Sequence, residues 1–90
     1  MRIQLTPGTT LTLVEGKSVL FSVRTGDSFG LNEIAAEMLR LGMENGLDAA
    51  TEQLARDYDA PAEEIRADIE ALAQDLVRLK FAQLAPAQGS

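Results

Sequence analysis

The stretch Arg24–Asn32, RTGDSFGLN, decides how this chain is read. Thr25-Gly26 makes a tight turn, because glycine takes a positive φ without steric cost. Asp27 to Leu31 then alternates, with Ser28 and Gly30 facing out and Phe29 and Leu31 facing in, the pattern of a half-buried strand. Asn32 closes the stretch as a helix N-cap, since its side-chain oxygen can accept a free first-turn N–H. Turn, strand and helix start therefore follow one another without a spacer, and the strand is expected at a sheet edge.

Upstream, Ser18 to Arg24 alternates again, with Val19, Phe21 and Val23 expected inward and Leu20 breaking the outward polarity. Glu15-Gly16 reads as a hairpin turn. Before it, Thr10 to Val14 places Leu11 and Leu13 on one face and threonines on the other. The result is a three-stranded antiparallel meander with one apolar face. Met1 to Thr9, with Ile3, Leu5 and then Pro7-Gly8, fits either a loose strand or an arm.

Downstream, a first helix is expected from Glu33 to about Glu44, with Ile34, Met38 and Leu41 as its apolar row and Asn45-Gly46 as its stop. Asp48 is expected to cap a short second helix that buries Ala50, Leu54 and Tyr58. Pro61, at the start of a third helix, loses nothing by lacking an N–H there. That helix, to about Lys80, carries the sharpest pattern: Ile65, Ile69, Leu72, Leu76 and Leu79 form one stripe. Asp68 and Asp75 border it on one side, Ala73 and Val77 on the other. Phe81 and Leu84 are expected to pack back on the core. The chain reads as one domain over 1–84 and a flexible tail over 85–90. The fold class is α+β, a three-stranded antiparallel sheet followed by three helices.

Composition narrows the function. The formal charge is −6, and it is uneven. Residues 1–31 carry three basic and two acidic groups, 32–59 two and seven, and 60–90 three and five. Acid on the helical part repels phosphate backbones and anionic membranes, so neither nucleic acid nor membrane is an expected partner. Cysteine and histidine are absent, so there is no thiolate site and no side chain that titrates unaided near neutral pH. No catalytic residue, metal or cofactor is expected, and the chain is not read as an enzyme. No apolar run approaches the roughly 20 residues of a membrane span, and the start lacks the apolar core of a secretion signal; a cytoplasmic location is the expectation.

The junction Leu31-Asn32, followed by Leu54, Tyr58, Pro61, Glu63, Glu64, Asp68, Ile69, Leu72, Leu76 and Leu79 at their spacing, resembles the PqqD-like family of peptide-recognition elements in ribosomal peptide natural-product pathways. The resemblance covers roughly residues 10–84. The chain departs from the family pattern after the third helix, where Lys80-Phe81-Ala82 stands in place of a glycine and an apolar pair. It departs again at Met38-Leu39, where an aromatic is common.

The resemblance implies a winged-helix-like domain that binds the leader of a precursor peptide as an added strand. The pairing strand would be Asp27, Ser28, Phe29, Gly30 and Leu31. The facing wall of the third helix would be Ile65, Asp68, Ile69, Leu72, Asp75 and Leu76. The partners it implies are the leader and a separate modifying enzyme: a radical-SAM enzyme, a cyclase or a protease. Edge pairing suits such a role, because an extended peptide gains main-chain hydrogen bonds while pockets select its side chains. The plainer account of the helix stripe is core packing, and of Asp68 and Asp75 a solvated flank. Two other functions fit the same elements. A winged-helix DNA binder would need a basic recognition helix, which this one is not. A self-associating scaffold subunit would use the open edge to form a homodimer.

Overall fold

The computed structural model of the protein describes residues 1–86. In chain order the elements are β1 (Arg2–Leu5), β2 (Thr9–Val14), β3 (Lys17–Ser22), β4 (Ser28–Leu31), α1 (Glu33–Glu44), α2 (Leu47–Asp57), α3 (Ala62–Arg78) and β5 (Ala82–Ala85). The central meander has the antiparallel order β2-β3-β4, as the alternation predicts. A second, two-stranded sheet pairs β1 with β5, in register Ile3↔Leu84 and Leu5↔Ala82. This resolves the open reading of Met1–Thr9: its first half is a strand, and its partner is a strand that the sequence pattern does not reveal. Ala85, expected in the tail, pairs with Arg2; residues 87–90 of that tail lie outside the described residues.

Turn chemistry sets the register of the meander. Glu15 and Gly16 both hold positive φ, 52° and 81°, which matches the twist of the strands they join. This two-residue turn pairs Val14 with Lys17, so Leu11 faces Leu20 and Leu13 faces Ser18. At the next junction Ser22 N donates to Asp27 O, and Leu20 faces Phe29. Residues directly opposite each other share a face. Leu20 therefore joins Leu11, Leu13, Phe29 and Leu31 on the inner face, and the expected inward set of β3 is inverted. Leu20 is fully buried, while Phe21 is 40% and Val23 67% exposed. The count of apolar residues on one strand favoured the wrong face; turn length decided the right one. Leu13 is on the inner face yet 72% exposed, because the β2–β3 hairpin reaches past the helices.

The helices begin and end for local reasons. Asn32 Oδ1 accepts from Ala35 N at 2.8 Å, and Glu33 sits at the positive end of α1. Gly46, at φ 92°, turns the chain out of α1 and itself occupies the N-cap of α2. Asp48 is thus in the first turn of α2 rather than at its cap, and it receives Arg66 Nη1 at 2.7 Å. Tyr58, expected on a buried stripe, lies just beyond the last turn of α2 and is half-exposed. α3 ends in a Schellman motif: Phe81 N donates to Leu76 O at 2.9 Å and Lys80 N to Val77 O at 3.1 Å. Lys80 holds the left-handed position, φ 69°. The helix therefore stops before Leu79, which is 40% exposed instead of closing the stripe.

The core lies between the inner faces of the two sheets and the three helices. Ile3, Leu20, Leu39, Leu54, Ile69 and Leu76 are its fully buried large residues. Buried Thr51 does not break it, since its hydroxyl donates to Leu47 O at 2.7 Å. β1 approaches α1 so closely that a Cβ on Gly42 would stand 2.8 Å from Ile3 Cδ1. Among the described residues no buried side-chain polar atom lacks a hydrogen-bond partner, and no helix is long and apolar enough to cross a membrane.

Candidate peptide-binding edge

β4 has β3 on one side and, among the described residues, no strand on the other. The strand is short, Ser28–Leu31; Asp27, expected as its first residue, lies in the preceding loop, where its N–H meets Thr25 Oγ1 at 3.2 Å. Along β4, Ser28 and Gly30 are exposed, Phe29 is half-buried and Leu31 is buried. Nothing stands within 4 Å of where a Gly30 Cβ would be, so the outer face of the sheet is uncovered at this residue. Phe29 packs edge-on against Phe81, which follows α3, with ring centroids 5.9 Å apart. This contact ties the edge strand to the end of α3.

The residues expected on the wall of α3 divide by burial. Ile65, Ile69 and Leu76 are buried core residues. Leu72 is half-buried, and Asp68 and Asp75 are exposed. Asp75 accepts from Arg78 Nη2 at 3.1 Å, a surface pair within one helix turn. The accessible part of the expected wall is thus Leu72 with its two flanking carboxylates.

Two concavities lie around the meander. The first, about 940 Å³, opens where Leu31 passes into α1, between the underside of the hairpin at Leu11 and Ser18 and the α1 residues Ala36, Glu37 and Arg40. Of its two cations, Lys17 and Arg40, the second is engaged: Arg40 holds Glu37 at 2.9 Å and Glu44 at 3.3 Å, and its hydrogen bond to Glu37 raises the guanidinium pKa further. The second, about 440 Å³, lies between the end of β3 with the loop that follows it and the end of α3 with β5. Ser22, Arg24, Thr25, Val77, Lys80 and Gln83 line it. Sequence reasoning did not find this trough. Its residues are scattered over four segments and carry no periodic signal, though Lys80 at a glycine-like position was visible.

No group of three or more potential ligand residues is placed to hold a metal among the described residues. What the structure offers is an edge strand open along one side, half-buried Phe29 on it, half-buried Leu72 on α3, and a concavity where β4 passes into α1.

An antiparallel meander followed by three helices, with the meander's last strand open along one edge, defines the winged-helix-like class expected above. The family model described as coenzyme PQQ synthesis protein D (PqqD) matches residues 17–81, and the chain belongs to that family. Two solved structures share the fold. One, "Lasso peptide synthetase B1 complexed with the leader peptide", is 21% identical, with TM-score 0.86 over 93% of this chain and 100% of that one. The other, "TbiB1 in Complex with the TbiA(beta) Leader Peptide", is 16% identical, with TM-score 0.79 over 96% of this chain and 99% of that one. No curated protein matches the chain.

Proposed function

We propose that this protein is a non-catalytic recognition domain that binds the leader of a ribosomally made precursor peptide and presents it to a separate modifying enzyme. The leader adds to the sheet at β4, along Ser28–Leu31, and lies beside α3. The observation that carries this reading is the unpaired β4 edge next to half-buried Phe29. Main-chain bonds at such an edge set register, and side-chain pockets set which peptide fits. Membership of the PqqD family and likeness to two domains solved with leader peptides support it. Leu72, Asp68 and Asp75 are the α3 residues placed to touch the peptide, while Ile65, Ile69 and Leu76 hold that surface from beneath. The enzyme served is a radical-SAM enzyme, a cyclase or a protease.

The charge of α3 argues against a nucleic-acid role. Its exposed face carries Glu63, Glu64, Asp68, Glu70 and Asp75, and Arg66 and Arg78 are each paired with a carboxylate.

The test uses a synthetic leader, taken from a short precursor reading frame beside this gene, and backbone amide spectra. Perturbations are expected at Ser28–Leu31 and along the Leu72 flank of α3. Binding without shifts at Ser28–Leu31 would place the peptide elsewhere. Asp75→Lys should change leader affinity with little change in stability. Sedimentation of the free chain separates this role from self-association through the same edge.

A further inference from the structure

The trough between the loop 23–27 and the end of α3 gathers positive charge. The chain is acidic throughout its helical part, yet the trough is lined by Arg24 and Lys80 and by no carboxylate. Arg40, Arg66 and Arg78 each hold a carboxylate, whereas Arg24 and Lys80, like Arg2, Lys17 and Arg56, have none within salt-bridge distance among the described residues; what the trough adds is that two such cations line one space. Ser22, Thr25 and Gln83 line the same space.

Both cations are set on anchored backbone. The aliphatic part of Arg24 lies against Gly8, where a Cβ would stand 3.0 Å from Arg24 Cγ, and Val23 N donates to Gly8 O at 2.9 Å. Lys80 is fixed by the Schellman turn and by Thr6 Oγ1, which donates to its carbonyl at 2.9 Å. Lys80 also occupies a left-handed position, φ 69°, where glycine is free of strain and lysine is not. A strained non-glycine residue whose side chain lines a concavity points from conformation to role.

We propose that this trough is a subsite for an acidic side chain of the bound peptide, taken up by Arg24 and Lys80. The proposal rests on the leader-binding reading above. The peptide segment that pairs with β4 would continue, on the side of the loop 23–27, with an aspartate or glutamate. The positive trough would then select register as well as sequence: a peptide shifted by one residue would turn its acid away from the two cations. It would also admit such a peptide past an otherwise repulsive acidic surface.

The probe is a displayed library of random peptides whose C-termini continue into the display anchor, so that any carboxylate selected is a side chain. Sorting against the wild-type chain should enrich Asp or Glu at one position flanking an apolar, strand-forming segment. Sorting against Arg24→Gln/Lys80→Gln should lose that preference, and against Arg24→Glu/Lys80→Glu should replace it with Lys or Arg. Synthetic copies of the wild-type winners should bind Lys80→Gly about threefold more weakly, and less so at high salt. The same variant should melt at higher temperature, because glycine relieves the backbone, so weaker binding cannot reflect a damaged fold. Winners that shift the Ser28–Leu31 amides but show no acidic preference, or that bind the charge-removed chains equally well, overturn the subsite and leave the leader-binding reading standing. A library that yields no peptide shifting those amides removes both.

Discussion

Phe29 of β4 meets Phe81 edge to face, with ring centroids 5.9 Å apart and planes inclined at 62°. Phe81 is buried beyond the end of α3, whereas Phe29 is only half covered. One ring belongs to the core and the other carries the edge strand on it. Phe81→Ala should cost about 3–5 kcal/mol, as a buried aromatic does, and Phe29→Ala less. A double-mutant cycle in urea should return a coupling of about 0.5–1.5 kcal/mol beyond area burial. Additive losses would mean that the rings do not support each other.

Leu20 and Phe21 test the register of the sheet. Leu20→Ala should lose about 2–5 kcal/mol of stability, while Phe21→Ala should stay within roughly 1 kcal/mol because its ring lies on the solvated face. Chemical denaturation of the two variants reads this directly. The reverse ranking would put β3 on the other face.

Gly42 and Ile3 make a pair in which two rules oppose. In an exposed helix, glycine to alanine stabilises by about 1 kcal/mol. Here the added methyl would meet Ile3 Cδ1 at 2.8 Å, and Ile3 is itself buried. Overpacking costs about 1–3 kcal/mol, so Gly42→Ala should destabilise on balance. Ile3→Val removes the obstructing atom. The double variant should therefore be more stable than the two single losses predict.

Lys80→Gly should raise stability by about 0.5–1 kcal/mol, since relief of the left-handed strain exceeds the added freedom of the unfolded chain. Thermal melting of the variant is the measurement. The carbonyl that accepts from Thr6 is retained.

Asp48 and Arg66 join the start of α2 to α3. The hydrogen bond from Arg66, then its charge, holds the Asp48 carboxyl below the usual carboxylate range, and Arg66 is raised in return. A carboxyl with a depressed folded pKa favours the fold above its unfolded pKa, and that contribution is lost as pH falls through the folded value. A carbon-detected titration of the Asp48 carboxyl should show the low midpoint. Arg66→Gln should return it to the ordinary range. The pair is exposed at the surface, so the whole-molecule effect should be small and weaken with salt.

The meander and the three helices were legible because each is bounded by a residue with a distinct conformational role. Asn32, Gly16 and Gly46 act in the structure much as they read. What stayed hidden was non-local. β5 shows no signal in Ala82–Ala85, since its existence depends on β1 lying alongside it. The face of β3 was in principle readable. The two-residue turn at Glu15-Gly16, combined with Leu11 and Leu13 inward, already requires Leu20 inward. Counting Val19, Phe21 and Val23 on one strand outweighed that constraint wrongly. For the edge, Phe29, Gly30 and Leu31 have the exposures their alternation implies. The trough could not be read from spacing, because Arg24 and Lys80 come together only through the packing of the loop 23–27 against the end of α3.

The pairing of Arg2 with Ala85 has a practical corollary. The two outermost strands run side by side, so a short tether could splice them and new ends be cut at the Glu15-Gly16 turn. Such a rearranged molecule should keep β4 uncovered. It would allow the domain to be grafted into a loop of another protein, with the docking edge still facing outward.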